Sequence, residues 1–256
     1  MEAELKPEYI LIAAVVLIAI IAIASSKKGK ASTPDALSLS LLDVTLTPDT
    51  PDGRVVLGAD LIDPERRWVN RPDSRLSLRC TLRLDDYLVN NPHGHMAILL
   101  RQDEATVSTR NTGSGVAIGH LSGHPDLSAD PPSGPVCVYE SFGNAVGERN
   151  LFSEFMRPVQ DGHDYPLVIE SELRGTAKRS RVVIGNFDSG WFDDPNTGWD
   201  EGVNDSILIA HVFATGRNWA IRLRDIKVEW AAVASYPAPA TSDPRNQFRV
   251  TSAGPD

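Results

Sequence analysis

Residues 75–84, RLSLRCTLRL, alternate without a break: Leu76, Leu78, Cys80, Leu82 and Leu84 share one parity, and Ser77, Arg79, Thr81 and Arg83 the other. A period of two puts the apolar set on one face of an extended chain, as a half-buried antiparallel strand requires. The same period recurs on both sides. Toward the N-terminus, LSLSLLDVTLT (37–47) and RVVLGADLI (54–62) flank the Pro/Gly turn PDTPDG. Toward the C-terminus come HMAILLRQ (95–102), GVAIGHL (115–121), VCVYESF (136–142), YPLVIESEL (165–173), RVVIGNF (181–187) and SILIAHVFA (206–214).

Two of these segments make sharper expectations. In 165–173, Leu167, Ile169 and Leu173 share a face and send Val168, Glu170 and Glu172 to the other; the segment pairs with 181–187 as a hairpin with a loose basic loop, RGTAKRS. In WAIRLRDIKVEWAAV (219–233), Trp219, Ile221 and Leu223 fall out of phase with Ile226, Val228 and Trp230. The slip lies at Arg224-Asp225, and a β-bulge there returns both sets to one face. ERNLFSEFMRPV (148–159) is the one candidate helical turn, with Leu151 and Phe155, joined by Phe152, on one side and Pro158 ending it. The Pro- and Gly-rich stretch 122–135 excludes a central strand.

Ahead of this β-rich part stands YILIAAVVLIAIIAIASS (9–26), without a charge. At ~1.5 Å of rise per residue it reaches about 27 Å as a helix, close to the hydrocarbon thickness of a bilayer. Lys27, Lys28 and Lys30 follow it as a stop. The expected organisation is a transmembrane anchor over 1–26, a linker over 27–37, one β domain over 38–234 and a flexible Pro-rich tail over 235–256. A cleaved signal peptide is the alternative for the first segment, because Ala22-Ile23-Ala24 has the small-x-small form, though the acidic leader MEAELKPE argues against it; a buried hairpin helix of the globular domain is the third reading, costly because so uniform an apolar run is hard to cover. The three lysines lean slightly toward a cytoplasmic domain by the positive-inside rule, whereas the domain type leans outside; an extracytoplasmic domain is the expectation, with the side left open.

The chain has 25 Lys and Arg against 34 Asp and Glu, a net charge of −9. Such acidity without a basic stripe argues against nucleic acid as a partner. Cys80 and Cys137 each fall in a strand; a bridge between neighbouring strands and two buried free thiols are both open. No CxxC, phosphate-binding glycine loop or GxSxG elbow occurs.

The order of these features, RLSLRCTLRL, then GSGVAIG with GPVCVYESFG, then DYPLVIESELRG with RVVIGNF, and a closing NWAIRLRDIKVEW, resembles the concanavalin A-like lectin/glucanase superfamily. That resemblance implies an all-β, two-sheet antiparallel jelly-roll sandwich and a carbohydrate ligand. Glycosidases of this fold carry Glu-x-Asp-x-Glu on one strand, and this chain does not. The nearest pattern is Glu170-Ser171-Glu172, whose Cα atoms lie roughly 6.5–7 Å apart on a strand face. It is the weak catalytic candidate, and a salt-bridged face with Arg174 or Arg181 is the simpler account. The main expectation is therefore a membrane-anchored recognition module. A structural protein of an envelope, pilus-like or virion assembly is the alternative, and a glycoside hydrolase or polysaccharide lyase the third reading.

A second candidate is the loop NFDSGWFDDPNTGWDEGVND (186–205). Asp193, Asp194, Asp200 and Glu201 supply oxygen ligands of the kind Ca²⁺ takes, while Trp191, Phe192, Asn196 and Trp199 supply surfaces for a sugar. The competing reading is an acidic loop whose tryptophans plug the sandwich edge. A third, His93 with His95 plus His120 and His124, invites a metal if the first two share a strand face.

Overall fold

The computed structural model describes residues 36–65, 68, 73–102, 113–127, 131–142, 149–175, 177–194 and 206–233. The apolar run 9–26 and the tail 235–256 lie outside them, and among the described residues no helix is long and apolar enough to cross a membrane.

Two antiparallel sheets pack face to face, with strands numbered along the chain. The larger has eight, ordered β1 (Ala36–Ser40), β14 (Ala220–Ala232), β4 (Asp73–Asp85), β9 (Asp164–Arg174), β10 (Ala177–Ile184) and β11 (Phe187–Asp188); β2 (Val44–Leu46) pairs with β14 and β12 (Phe192–Asp194) with β10. The smaller has six, ordered β3 (Arg54–Leu57), β13 (Ser206–Val212), β5 (His95–Gln102), β6 (Ser114–Gly119), β7 (Val136–Phe142) and β8 (Arg149–Pro158). The two-sheet sandwich expected from the alternation is therefore present.

The core lies between the sheets. Leu76, Leu78, Cys80, Leu82 and Leu84 of β4 all face it, as their parity requires, and meet Met96, Ile98, Val116, Ile118 and Ile209 from the other sheet. Trp230 stacks on Trp68 with centroids 6.4 Å apart. The bulge expected on β14 is found: Arg224 pairs with Thr81 but Lys227 with Arg79, so three steps of one strand oppose two of the other. Asp225 takes the extra position at φ 54°, its N–H held by the Asp43 carboxylate at 3.1 Å, and both apolar sets of β14 stay inside.

Two expectations need correction, and the choice left open for the cysteines is decided. Residues 149–158 form strand β8, not a helical turn. Cys137 pairs with Arg157 and Tyr139 with Phe152, so five steps of β8 oppose two of β7; this irregularity brings both Phe152 and Phe155 against Tyr139. Helical spacing of those aromatics is thus produced by a bulged strand. The hairpin of β9 and β10 is present, but its basic loop is not loose: pairing continues to Arg174 with Ala177, leaving Gly175 at φ 56° to make the turn. Cys80 and Cys137 are free thiols, buried in the core, and burial pushes both up to about 12.

Candidate functional site

The inner and outer faces of the larger sheet carry different chemistry. Inside, toward the end where β10 and β12 meet β6 and β7, a polar cluster replaces apolar packing. Lys178 Nζ lies 3.0 Å from Asp194 Oδ2 and donates to Ser114 Oγ at 2.5 Å. Ser141 Oγ donates to Asp194 Oδ1 at 2.8 Å; Tyr139 donates its one hydroxyl proton to Asp194, and its oxygen lies 2.9 Å from the Ser180 hydroxyl, which can donate to it. Burial pushes the Lys178 ammonium down, opposed by Asp194, and raises the Tyr139 phenol. Beside the cluster, Arg101 sits at φ 56° where the β5–β13 register shifts. The bulge turns its guanidinium inward, onto Ser171 Oγ (3.1 Å), the Ser74 carbonyl (3.0 Å) and the Trp230 ring (5.2 Å).

Nothing in the sequence reading placed these cations inside. The signal was there: Lys178 and Ser180 share parity with Val182 and Ile184, so an apolar-facing strand extended back to Ala177 puts the ammonium in the core. A buried cation must then find a carboxylate, and Asp194 supplies it from the paired residue of β12.

That placement decides much of the proposed calcium and sugar loop. On β12 the side chains alternate: Phe192 and Asp194 point inward and Asp193 outward. Asp193 and Asp194 therefore cannot close on one ion as the calcium reading expected; Asp193 instead faces Arg179 Nε at 3.3 Å. Phe192 is no ligand contact, being stacked on Phe155 at 4.4 Å and edge-on to Tyr139. Trp191 stays partly exposed, with the Arg179 guanidinium 5.9 Å from its ring centroid. Asn196, Trp199, Asp200 and Glu201 lie outside the described residues. The histidine reading is also unsupported by geometry. His95 opens β5 buried, His93 sits exposed in the preceding turn, and His120 Nε2 contacts the Leu88 carbonyl at 3.2 Å. Among the described residues no three His, Cys, Asp or Glu side chains converge as a metal site.

The outer face of the larger sheet is a lattice of arginines and carboxylates. Glu170, only 1% exposed, lies under three arginines: Arg181 Nη1 at 2.9 Å, Arg75 Nη1 at 3.5 Å and Arg79 Nη2 at 4.0 Å. Arginine stems cover the carboxylate while their charged heads reach outward. Arg181 also forks onto Asp188, at 2.9 and 2.6 Å, and holds that carboxyl below its usual range. Glu172 accepts from Arg174 Nε at 2.7 Å. Glu170 and Glu172 are thus both committed to guanidinium groups, the salt-bridged account of this pair.

The lattice continues across β4 and β14. Asp85 bridges Arg222 and Arg83, with Nε atoms at 2.6 and 2.7 Å, and these two hydrogen bonds lower its carboxyl. Asp164 bridges Arg224 Nη2 at 2.8 Å and Arg83 Nη1 at 3.4 Å, and is lowered chiefly by Arg224. Carboxyls held low in the folded state stabilise it fully above their unfolded value of about 3.9, and lose that contribution as pH falls through the lowered values. Urea unfolding midpoints should therefore fall below about pH 4, and the fall should shrink in an Arg222→Gln, Arg181→Gln double variant. An unchanged acid profile in that variant would exclude these pairs as its source.

In class, then, this is an all-β antiparallel two-sheet sandwich with a charged, solvent-facing outer surface on its larger sheet. No family model matches the chain, and no curated protein matches it. Among solved structures, the alginate lyase AlyC3 aligns at TM-score 0.44 and 8% identity, over 64% of this chain and 67% of that one. An alginate lyase Aly36B mutant in complex with alginate tetrasaccharide aligns at 0.42 and 10% identity, over 75% and 82%. The CBM2 module of the evolved Dit of Lactobacillus casei BL23 phage J-1 aligns at 0.37 and 13%, over 77% and 70%. At these scores the likenesses assign no activity, and the architecture rests on the strand order itself.

Proposed function

We propose that the chain is a carbohydrate-recognition module of the concanavalin A-like type, anchored to a bilayer through residues 9–26, with the outer face of its larger sheet as the binding surface. The observation that carries this reading is the lattice of Arg75, Arg79, Arg83, Arg181, Arg222 and Arg224 with interleaved carboxylates, accessible along one sheet and flanked by Trp191. Sugar hydroxyls both donate and accept, so a surface offering forked guanidinium donors next to carboxylate acceptors satisfies neighbouring hydroxyl pairs. A partly exposed indole adds an apolar plane for the C–H face of a ring. The committed state of Glu170 and Glu172 favours binding over general acid catalysis on this face.

The test is a glycan array probed with the full chain in detergent. At least one glycan class is expected to be retained, and retention should be lost in an Arg79→Ala, Trp191→Ala double variant whose melting curve is unchanged. No retention across the array would overturn the proposal. For the anchor, the chain should stay in the membrane pellet after alkaline carbonate extraction, and deletion of 9–26 should release it.

A further inference from the structure

The proposed glycan face is not evenly charged, and its uneven half indicates the ligand. Along β4 and β14, Arg79 lies directly opposite Lys227, and Arg83 directly opposite Arg222. Like charges facing each other across a strand pair are unfavourable, so two such pairs in succession need anions between them. The chain supplies five carboxylates for six cations, one short of balance. Arg75, Arg79, Arg83, Arg222, Arg224 and Lys227 share the bridging carboxylates Glu229, Asp85 and Asp164, with Glu170 drawn also to Arg181 and with Asp225 exposed at the bulge. This strip of cations runs against the net charge of −9 carried by the whole chain.

The seat around Glu229 is the most developed part of the strip. Its carboxylate lies 2.8 Å from Lys227 Nζ and 3.5 Å from Arg79 Nε, and accepts from Ser38 Oγ at 3.5 Å. Partial burial is the largest influence on this carboxyl and works against its charge, yet Lys227, Arg79 and Arg75 together hold it low. A second observation lies beneath. Ser77 is 1% exposed, sits between Glu170 and Glu229 in the register, and its hydroxyl has no hydrogen-bond partner. Arg79 and Lys227 above it are about half exposed, at 47% and 46% of their side chains.

Resting on the glycan reading above, we infer that the ligand is an anionic polysaccharide whose carboxylate or sulfate groups take the seat between Arg79, Lys227 and Arg75, displacing the Glu229 side chain. Glu229 is a tethered stand-in for that group: a carboxylate already held by the donors an acidic sugar would use. Carboxylates spaced between the cations repel a dense polyphosphate but accept from sugar hydroxyls, which favours an acidic polysaccharide over nucleic acid. Attraction between the polymer's repeated anions and the cations of the strip makes binding weaken with salt.

The experiment is calorimetric titration of the full chain in detergent with a polyuronate, a sulfated polysaccharide, a neutral glucan and a single-stranded oligonucleotide, at low and high salt. Binding of the polyuronate or the sulfated polymer, weakened by salt, supports the inference and tells carboxylate from sulfate. Arg79→Gln should weaken it about tenfold, the scale of one charge-assisted hydrogen bond. Glu229→Gln, which removes the competitor but keeps the shape, should tighten it; loosening or no change in that variant overturns the displacement. Salt-insensitive binding of the neutral glucan alone overturns the anionic ligand while leaving the glycan reading intact. Binding of no polysaccharide overturns both, as does binding of the oligonucleotide alone.

Discussion

Lys178→Met should destabilise the fold by about 3–5 kcal/mol, the cost of leaving one member of a buried ion pair without its partner. Asp194 would keep its hydroxyl donors Tyr139 and Ser141 but lose the cation at 3.0 Å. The double variant Lys178→Met, Asp194→Asn should recover much of the loss, because it removes both charges and keeps the volume. By contrast Arg222→Gln, which breaks an exposed pair with Asp85, should cost less than about 1 kcal/mol. Urea unfolding of the four proteins checks the set. A Lys178→Met midpoint equal to that of the parent would mean that the pair is not buried as described.

Gly115→Ala should cost about 3 kcal/mol or more, at the upper end of overpacking penalties. The reason is a backbone approach. A Cβ built on Gly115 lies 1.9 Å from the Ile98 carbonyl oxygen and 3.2 Å from Leu99 Cα, both on the neighbouring strand β5. Neither atom can yield easily, since β5 is held by β13 on its other side through Leu99 with Leu208 and Ile98 with Ile209. Glycine inside a strand normally weakens it; here it lets two backbones come together. Gly134→Ala is the control, because nothing lies within 4 Å of its added carbon, and it should change stability by no more than about 0.5 kcal/mol. Equal thermal midpoints for the two variants would overturn the close approach of β5 and β6.

The outer-face lattice was partly legible beforehand. Arg79 and Arg83 read as outward-facing from the alternation of 75–84, and Glu170 with Glu172 as an acidic pair on one face, with Arg174 and Arg181 as their partners. What local pattern does not carry is that Glu170 ends nearly inaccessible beneath Arg75, Arg79 and Arg181, contributed by two different neighbouring strands. Nor does it tell that Arg83 faces Arg222, since cross-strand register joins residues 139 positions apart in the chain. The Trp191–Phe192–Asp193–Asp194 stretch shows the same limit. Its composition suits a sugar or an ion, but alternation on a short strand sends Phe192 and Asp194 into the core and leaves Trp191 and Asp193 outside.

By itself the sequence determined the alternating strands, the β9–β10 hairpin and the slip at Asp225, because side-chain parity is a local property of an extended chain. Only the tertiary structure decided which polar groups go inside and which cations face one another: Lys178 with Asp194, Arg101 against Trp230, Arg79 opposite Lys227. Those outcomes depend on pairing between distant strands, and on the rule that a charge taken out of water must meet its counter-charge where the fold happens to bring one.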